Sequence, residues 1–193
     1  MSVIFDTGEP RSGPEIVAAM TRLHGESERY FLEIPALEFA APQGEKWSPG
    51  EHVRHLAKST SPLAGALGLP KIVLALRFGR NRAESRPFGV LREEYRTVLR
   101  ETGATAGRFT PSPQAPPADV SAAEIQQEET LARWRGAVAA LAARIPRWSE
   151  AALDRYLLPH PLLGQLTVRE MLCFTVYHNA HHLEQVAARR KRA

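Results

Sequence analysis

Hydrophobic positions recur at three- and four-residue intervals through most of the chain, and no segment alternates with period two next to hairpin signals. Ser12 or Gly13 followed by Pro14 marks a helix start, with Pro at the first helical position. From Pro14 to Ile34 the residues Ile16, Val17, Met20, Leu23, Tyr30, Phe31 and Ile34 form the expected inner face, weakened locally by Gly25. Residues 35–47 are rich in Pro, Gly and charge and read as a connection. Ser48-Pro49-Gly50-Glu51 then supplies a cap, a Pro at N1 and a Glu at N3 for a second helix ending near Gly68. Pro62 is positioned to kink that helix or end it early. Shorter helices are expected over 70–80 and 88–101.

Residues 103–120 are Pro-rich and extended, a composition used for linkers more often than for lids. Ser121 and Glu124 have capping-box spacing for a helix to about Arg144, with Ile125, Leu131, Trp134, Val138, Leu141 and Ala142 inward and Pro146 beyond its end. Residues 149–165 form a connection, with His160-Pro161 and Gly164 suggesting a turn or short hairpin. The last helix is the longest uninterrupted one, Thr167 to Arg190, with Thr167 and Glu170 as a capping box. The pattern is all-α: four principal helices in a bundle with extra short helices in the connections.

At 193 residues the chain is expected to form a single domain, residues 1–193, with residues 1–13 as an irregular lead-in. No run of about 18 apolar residues is present, so no membrane span is expected. The start of the chain lacks a charged segment followed by an apolar one, and Cys173 is the lone cysteine; both point to the cytoplasm. The net charge of +4 owes much to the terminal Arg-Arg-Lys-Arg, which complements a helix C-terminus. No stripe of Arg and aromatics accompanies it, which argues against nucleic acid.

The chemistry lies in the histidines. Five of the seven fall in two clusters, His52 and His55 on the second principal helix and His178, His181 and His182 on the last. His178, His181, His182 and Gln185 occupy an arc of roughly 100° at helical spacing. Three imidazoles and an amide on one face read as half of a metal site, imidazole suiting zinc, nickel, copper and iron. His178 pairs with His182 at i, i+4 or with His181 at i, i+3, and spacing leaves both open. The third ligand comes from the other cluster. There Val53, Leu56, Thr60, Leu63 and Leu67 define an apolar face that lies nearer His52 than His55. Three protein ligands leave one position for water or substrate, the pattern of a catalytic site. Asn179 stands where H-E-x-x-H metalloproteases carry their general base, so that mechanism is excluded. Cys173 lies about 140° around the helix from His178 and reads as a small buried residue. His24 reads as a packed histidine.

Three stretches carry a resemblance. WSPGEHVRHLAKS has a Trp-Ser start and a histidine directly before a leucine; PHPLLGQLTVREML leads into the last helix; VYHNAHHLEQ closes it. Together they resemble the DinB-like superfamily of metalloenzymes, which includes the bacterial YfiT-type proteins, over about Trp47 to Arg190. The resemblance implies a DinB-like four-helix bundle, often a homodimer, with zinc or nickel held by His55, His178 and His182. It also implies a metal-dependent enzyme acting on small molecules, as a transferase using a low-molecular-weight thiol, a thiol-dependent isomerase or a hydrolase. The alternative is a non-catalytic metal-binding stress or interaction protein of the same fold. His181 and Glu184 are candidates for proton transfer. Gln185, Glu51 and Glu184 are candidates for orienting the ligands from behind.

Overall fold

A computed structural model describes residues 5–42, 44, 46–103 and 105–191. Its helices are α1 (Gly13–Leu32), α2 (Ala36–Ala40), α3 (Pro49–Leu67), α4 (Lys71–Phe78), α5 (Phe88–Thr102), α6 (Val120–Ala142), α7 (Glu150–Arg155) and α8 (Val168–Arg190). The four long helices form the bundle: α6 packs against α1 and α3, and α8 closes the ring against the same two. A continuous apolar core fills it, with Ile16, Leu23, Phe31, Leu56, Leu131, Trp134 and Leu141 all but fully buried. No single helix among the described residues is long and apolar enough to cross a membrane.

Capping chemistry sets the starts of the elements that carry the histidines. Ser48 accepts from Glu51 N while the Glu51 carboxylate accepts from Ser48 N at 2.7 Å. Ser12 with Glu15 and Thr167 with Glu170 form the same reciprocal pair at α1 and α8. Each such cap is worth about 1 kcal/mol. The expected turn before the last helix is a two-stranded antiparallel hairpin, β1 (Leu157–His160) and β2 (Gly164–Thr167), with Leu158 opposite Leu166. Thr167 ends β2 and caps α8 at once, so the hairpin delivers the last helix with no slack. Glu170 is further gripped by Arg86, from its backbone N–H at 2.7 Å and its Nε at 2.9 Å.

Several expectations are corrected. The connection over 35–47 contains α2, which lies over the first turn of α3. A Cβ at Gly50 would meet Phe39 Cε1 at 2.9 Å, so glycine is what allows this approach. Pro62 does not end α3, which continues to Leu67. α6 is capped by Asp119, which accepts from Ala122 N at 2.8 Å, and not by Ser121. Ile125 falls on the outer face and is 60% exposed, because at about 100° per residue it lies roughly opposite the buried face of Leu131, Trp134, Val138 and Leu141. α1 runs through Gly25, as the apolar pattern over 14–34 predicts.

Candidate metal centre

α3 and α8 run side by side and bring both histidine clusters into one buried site. His55 Nε2 and His182 Nε2 each lie 3.1 Å from His178 Nε2. His55, His178 and His182 each offer a nitrogen within 4.8 Å of the others, and among the described residues no carboxylate or thiol joins them. Tetrahedral zinc with N ligands at about 2.0–2.1 Å places its nitrogens roughly 3.3 Å apart, close to the observed spacing. Residues 178 and 182 meet because i, i+4 side chains stack along one helix face. His181 points past the cluster, its ring 6.2 Å from that of Tyr95 on α5.

The environment holds the imidazoles neutral. His178 and His182 are driven well below the ordinary histidine pKa, by burial first and then by neighbouring imidazoles. Burial also lowers His55, against an opposing hydrogen bond to the Phe109 carbonyl. Neutral rings keep lone pairs available for a metal. His55 Nδ1 is 2.9 Å from that carbonyl oxygen, which only accepts. Its N–H therefore sits on Nδ1, and Nε2 presents a lone pair to His178. A backbone partner of this kind is the arrangement that fixes tautomer and ring direction where an imidazole binds a metal. The donor set, its burial and the lone pair aimed at a second imidazole nitrogen fit a divalent transition metal.

Three further groups surround the cluster. His52 also points inward, with Nδ1 2.8 Å from His182 Nδ1 and Nε2 3.1 Å from Arg189 Nη1. It stands behind His182 and outside the group of three, and burial followed by the Arg189 charge pushes its pKa down to about 3. Trp47 roofs the site, its ring centroid 5.1 Å from His55 and stacked at 12° over His182. The third group is the Pro-rich stretch, which is no free linker. A 3-10 turn at Gly107–Phe109 brings the Phe109 carbonyl to His55. Lys58 Nζ donates to Thr110 O at 2.8 Å and Arg54 Nη1 to Gln114 Oε1 at 2.7 Å. The segment clasps the face of α3 beside the site.

The remaining candidates are placed as follows. Gln185 Nε2 lies 2.7 Å from His181 Nε2, and its Oε1 accepts from Arg189 Nη2 at 3.3 Å. Arginine only donates, so the amide orientation is set and Gln185 donates to His181. Gln185 thus supports His181 and no member of the triad. Glu51 is occupied by the α3 cap and makes no hydrogen bond to a histidine among the described residues. Glu184 is half-buried on α8. Asn179 donates to Thr175 O at 2.7 Å and accepts from Trp134 Nε1 at 3.2 Å, locking α8 to α6 on the side away from the site. Cys173 is buried, with its thiol pushed up to about 12 by burial, and is no nucleophile at neutral pH. His24 packs against Trp134 at 4.4 Å.

The model of the DinB superfamily matches residues 33–186, most of the chain and both histidine clusters. The chain belongs to the DinB superfamily. No curated protein and no solved structure matches it. Within this DinB-superfamily chain, Arg189, Trp47 and the Phe109 carbonyl are groups at the site to which the sequence assigns no role, and His52, the alternative to His55 on the second helix, stands behind His182. A signal existed for His52, which lies on the apolar face of α3. Nothing in the sequence marks a carbonyl 54 residues away in a Pro-rich segment.

Proposed function

We propose that the chain is a divalent-metal enzyme, holding zinc or nickel through Nε2 of His55, His178 and His182. It acts on an electrophilic small molecule by transfer of a low-molecular-weight thiol or by hydrolysis. The observation that carries this reading is the donor set itself: three buried neutral imidazoles with no fourth protein ligand among the described residues, the pattern that leaves a coordination position for chemistry. When bound, the ion lowers the pKa of a thiol or water at that position into the neutral range.

The other roles fall to the chain's own side chains. Trp47 and the 105–119 segment keep bulk water off the imidazoles. Tyr95 lies edge-on to His178 at 6.3 Å and to His181 at 6.2 Å. Burial raises its phenol to about 12, so it stays a hydrogen-bond donor at neutral pH and suits an oxygen that gains negative charge. His181 uses its Nε2 lone pair to accept from Gln185, so its N–H is on Nδ1; as a base it needs Gln185 to move aside. Substrate entry requires the Arg54 and Lys58 contacts to the segment to open. A homodimer in the cytoplasm belongs to the same proposal.

One observation favours the non-catalytic alternative. His52, His55, His178 and His182 are only 2–8% exposed, and a groove of about 880 Å³ between α5 and the hairpin loop contains none of them. Cobalt substitution separates the readings. Elemental analysis is expected to give about one metal per chain, lost in His55→Ala, His178→Ala and His182→Ala. In the cobalt protein, added cysteine or glutathione is expected to change the visible spectrum. An unchanged spectrum with full metal content supports the closed, non-catalytic reading, and no metal in the unmodified chain removes both.

A further inference from the structure

Donors and acceptors can be counted along the histidine chain, and they conflict. Five contacts run in series: Phe109 O to His55 Nδ1, His55 Nε2 to His178 Nε2, His178 Nε2 to His182 Nε2, His182 Nδ1 to His52 Nδ1, and His52 Nε2 to Arg189 Nη1. The ends are chemically fixed, since a carbonyl only accepts and a guanidinium only donates. Each neutral imidazole between them has one N–H to give.

From the Phe109 end, His55 donates through Nδ1 and turns a lone pair toward the triad. From the Arg189 end, His52 accepts at Nε2 and donates through Nδ1. His182 then accepts at Nδ1, and its own N–H lies on Nε2, the atom that has to present a lone pair if it is a ligand. A cation held by the three Nε2 atoms needs the reverse: His182 donates through Nδ1, His52 accepts there, and the His52 N–H lies on Nε2, facing the Arg189 donor at 3.1 Å. The triad and Arg189 therefore ask for opposite tautomers of His52.

We infer that Arg189 is a positioning residue that opposes metal loading through His52, by selecting the His52 tautomer under which His182 cannot serve as a neutral ligand. The inference rests on the His55–His178–His182 ligand set proposed above. Arg189 is well placed for this. It sits two turns beyond His182 on the same helix, is held by Gln185 Oε1, and has no carboxylate partner among the described residues. Plain charge repulsion between a guanidinium and a dication has the same sign, so the test has to tell the two apart.

The readout is zinc affinity of the untagged chain, measured by competition with a chromophoric chelator. Glutamine at position 189 can donate or accept and no longer dictates the tautomer. Arg189→Gln is expected to bind zinc roughly tenfold tighter than the unmodified chain, the scale on which groups behind a ligand act. Arg189→Met, which has no donor, is expected to shift in the same direction and serves if the glutamine variant misfolds. In a His52→Leu background the Arg189→Gln gain is expected to shrink to less than about twofold, because the relay is cut. Affinity that is unchanged or weaker in both Arg189 variants overturns the inference, and so does a gain that persists with His52→Leu, which assigns the effect to charge alone. His178→Ala separates this from failure of the ligand set: if that variant binds zinc as the unmodified chain does, the triad itself is wrong.

Discussion

Replacing Glu170 with glutamine removes the charge from a carboxylate that is 4% exposed and receives four hydrogen bonds. Thr167 N donates at 2.9 Å, Arg86 N at 2.7 Å, Arg86 Nε at 2.9 Å and Arg86 Nη2 at 3.1 Å. The amide nitrogen of glutamine meets at least one of these donors with a donor. Breaking a buried charged pair from one side costs about 3–5 kcal/mol. The Arg86 side chain is 33% exposed and regains some hydration, which puts the expected loss at about 3 kcal/mol, the low end of that range. For a chain of this length that lowers Tm by about 6–12 °C. Burial pushes the Glu170 pKa up, but the bonds from Arg86 and the Thr167 backbone outweigh it, and the folded value lies below the ordinary 4.5. The stability it contributes is therefore complete above about pH 4.5 and is lost as pH falls through the folded pKa. Urea unfolding of the unmodified chain, Glu170→Gln, Arg86→Ala and the double variant at neutral pH and near pH 4 measures both effects. The double variant is expected to lose much less than the sum of the singles. A loss under about 1 kcal/mol for Glu170→Gln, or additive losses, would refute the view that this network anchors the start of α8.

Two further outcomes are expected. His160 accepts at Nδ1 from Leu162 N and Leu163 N, and burial lowers its pKa from 6.5 to about 4. The unfolded chain takes up its proton first, so stability is unaffected above about pH 6.5 and falls by about 3 kcal/mol toward pH 4, while His160→Asn, which keeps an acceptor for the hairpin, flattens that part of the pH profile in urea titrations. Removing two of the ties of the Pro-rich segment, with Arg54→Ala and Lys58→Ala together, is expected to raise the rate of metal removal by a chelator several-fold, because opening of a low-stability surface segment becomes easier; an unchanged rate means that the metal leaves by another route.

Much of this architecture is local and was therefore legible in the chain. A Ser or Thr followed three residues later by Glu determines where α1, α3 and α8 begin, because the cap is satisfied within four residues. An i, i+4 pair on an unbroken helix determines that His178 and His182 share a face. Where local rules competed, packing decided. Ser121 and Asp119 both suit a cap, and the folded chain uses Asp119, while Ile125 points outward because helical spacing sets it opposite the buried face of α6. Pro62 weakens α3 only locally, and the helix packed against α6 and α8 runs through it. The third member of the imidazole cluster was the least local choice of all. The apolar face of α3 favours His52, and the histidine-leucine match favours His55. In the folded chain both point inward, at different depths: His55 reaches His178 through Nε2, and His52 reaches the back of His182 through Nδ1. Spacing along one helix gives the direction of a side chain but not its distance from a neighbouring helix, and nitrogen contacts near 3 Å depend on that distance. The Phe109 carbonyl and Arg189, which set the tautomers at the two ends of the histidine chain, came together only when the loop and the helix end were folded against α3.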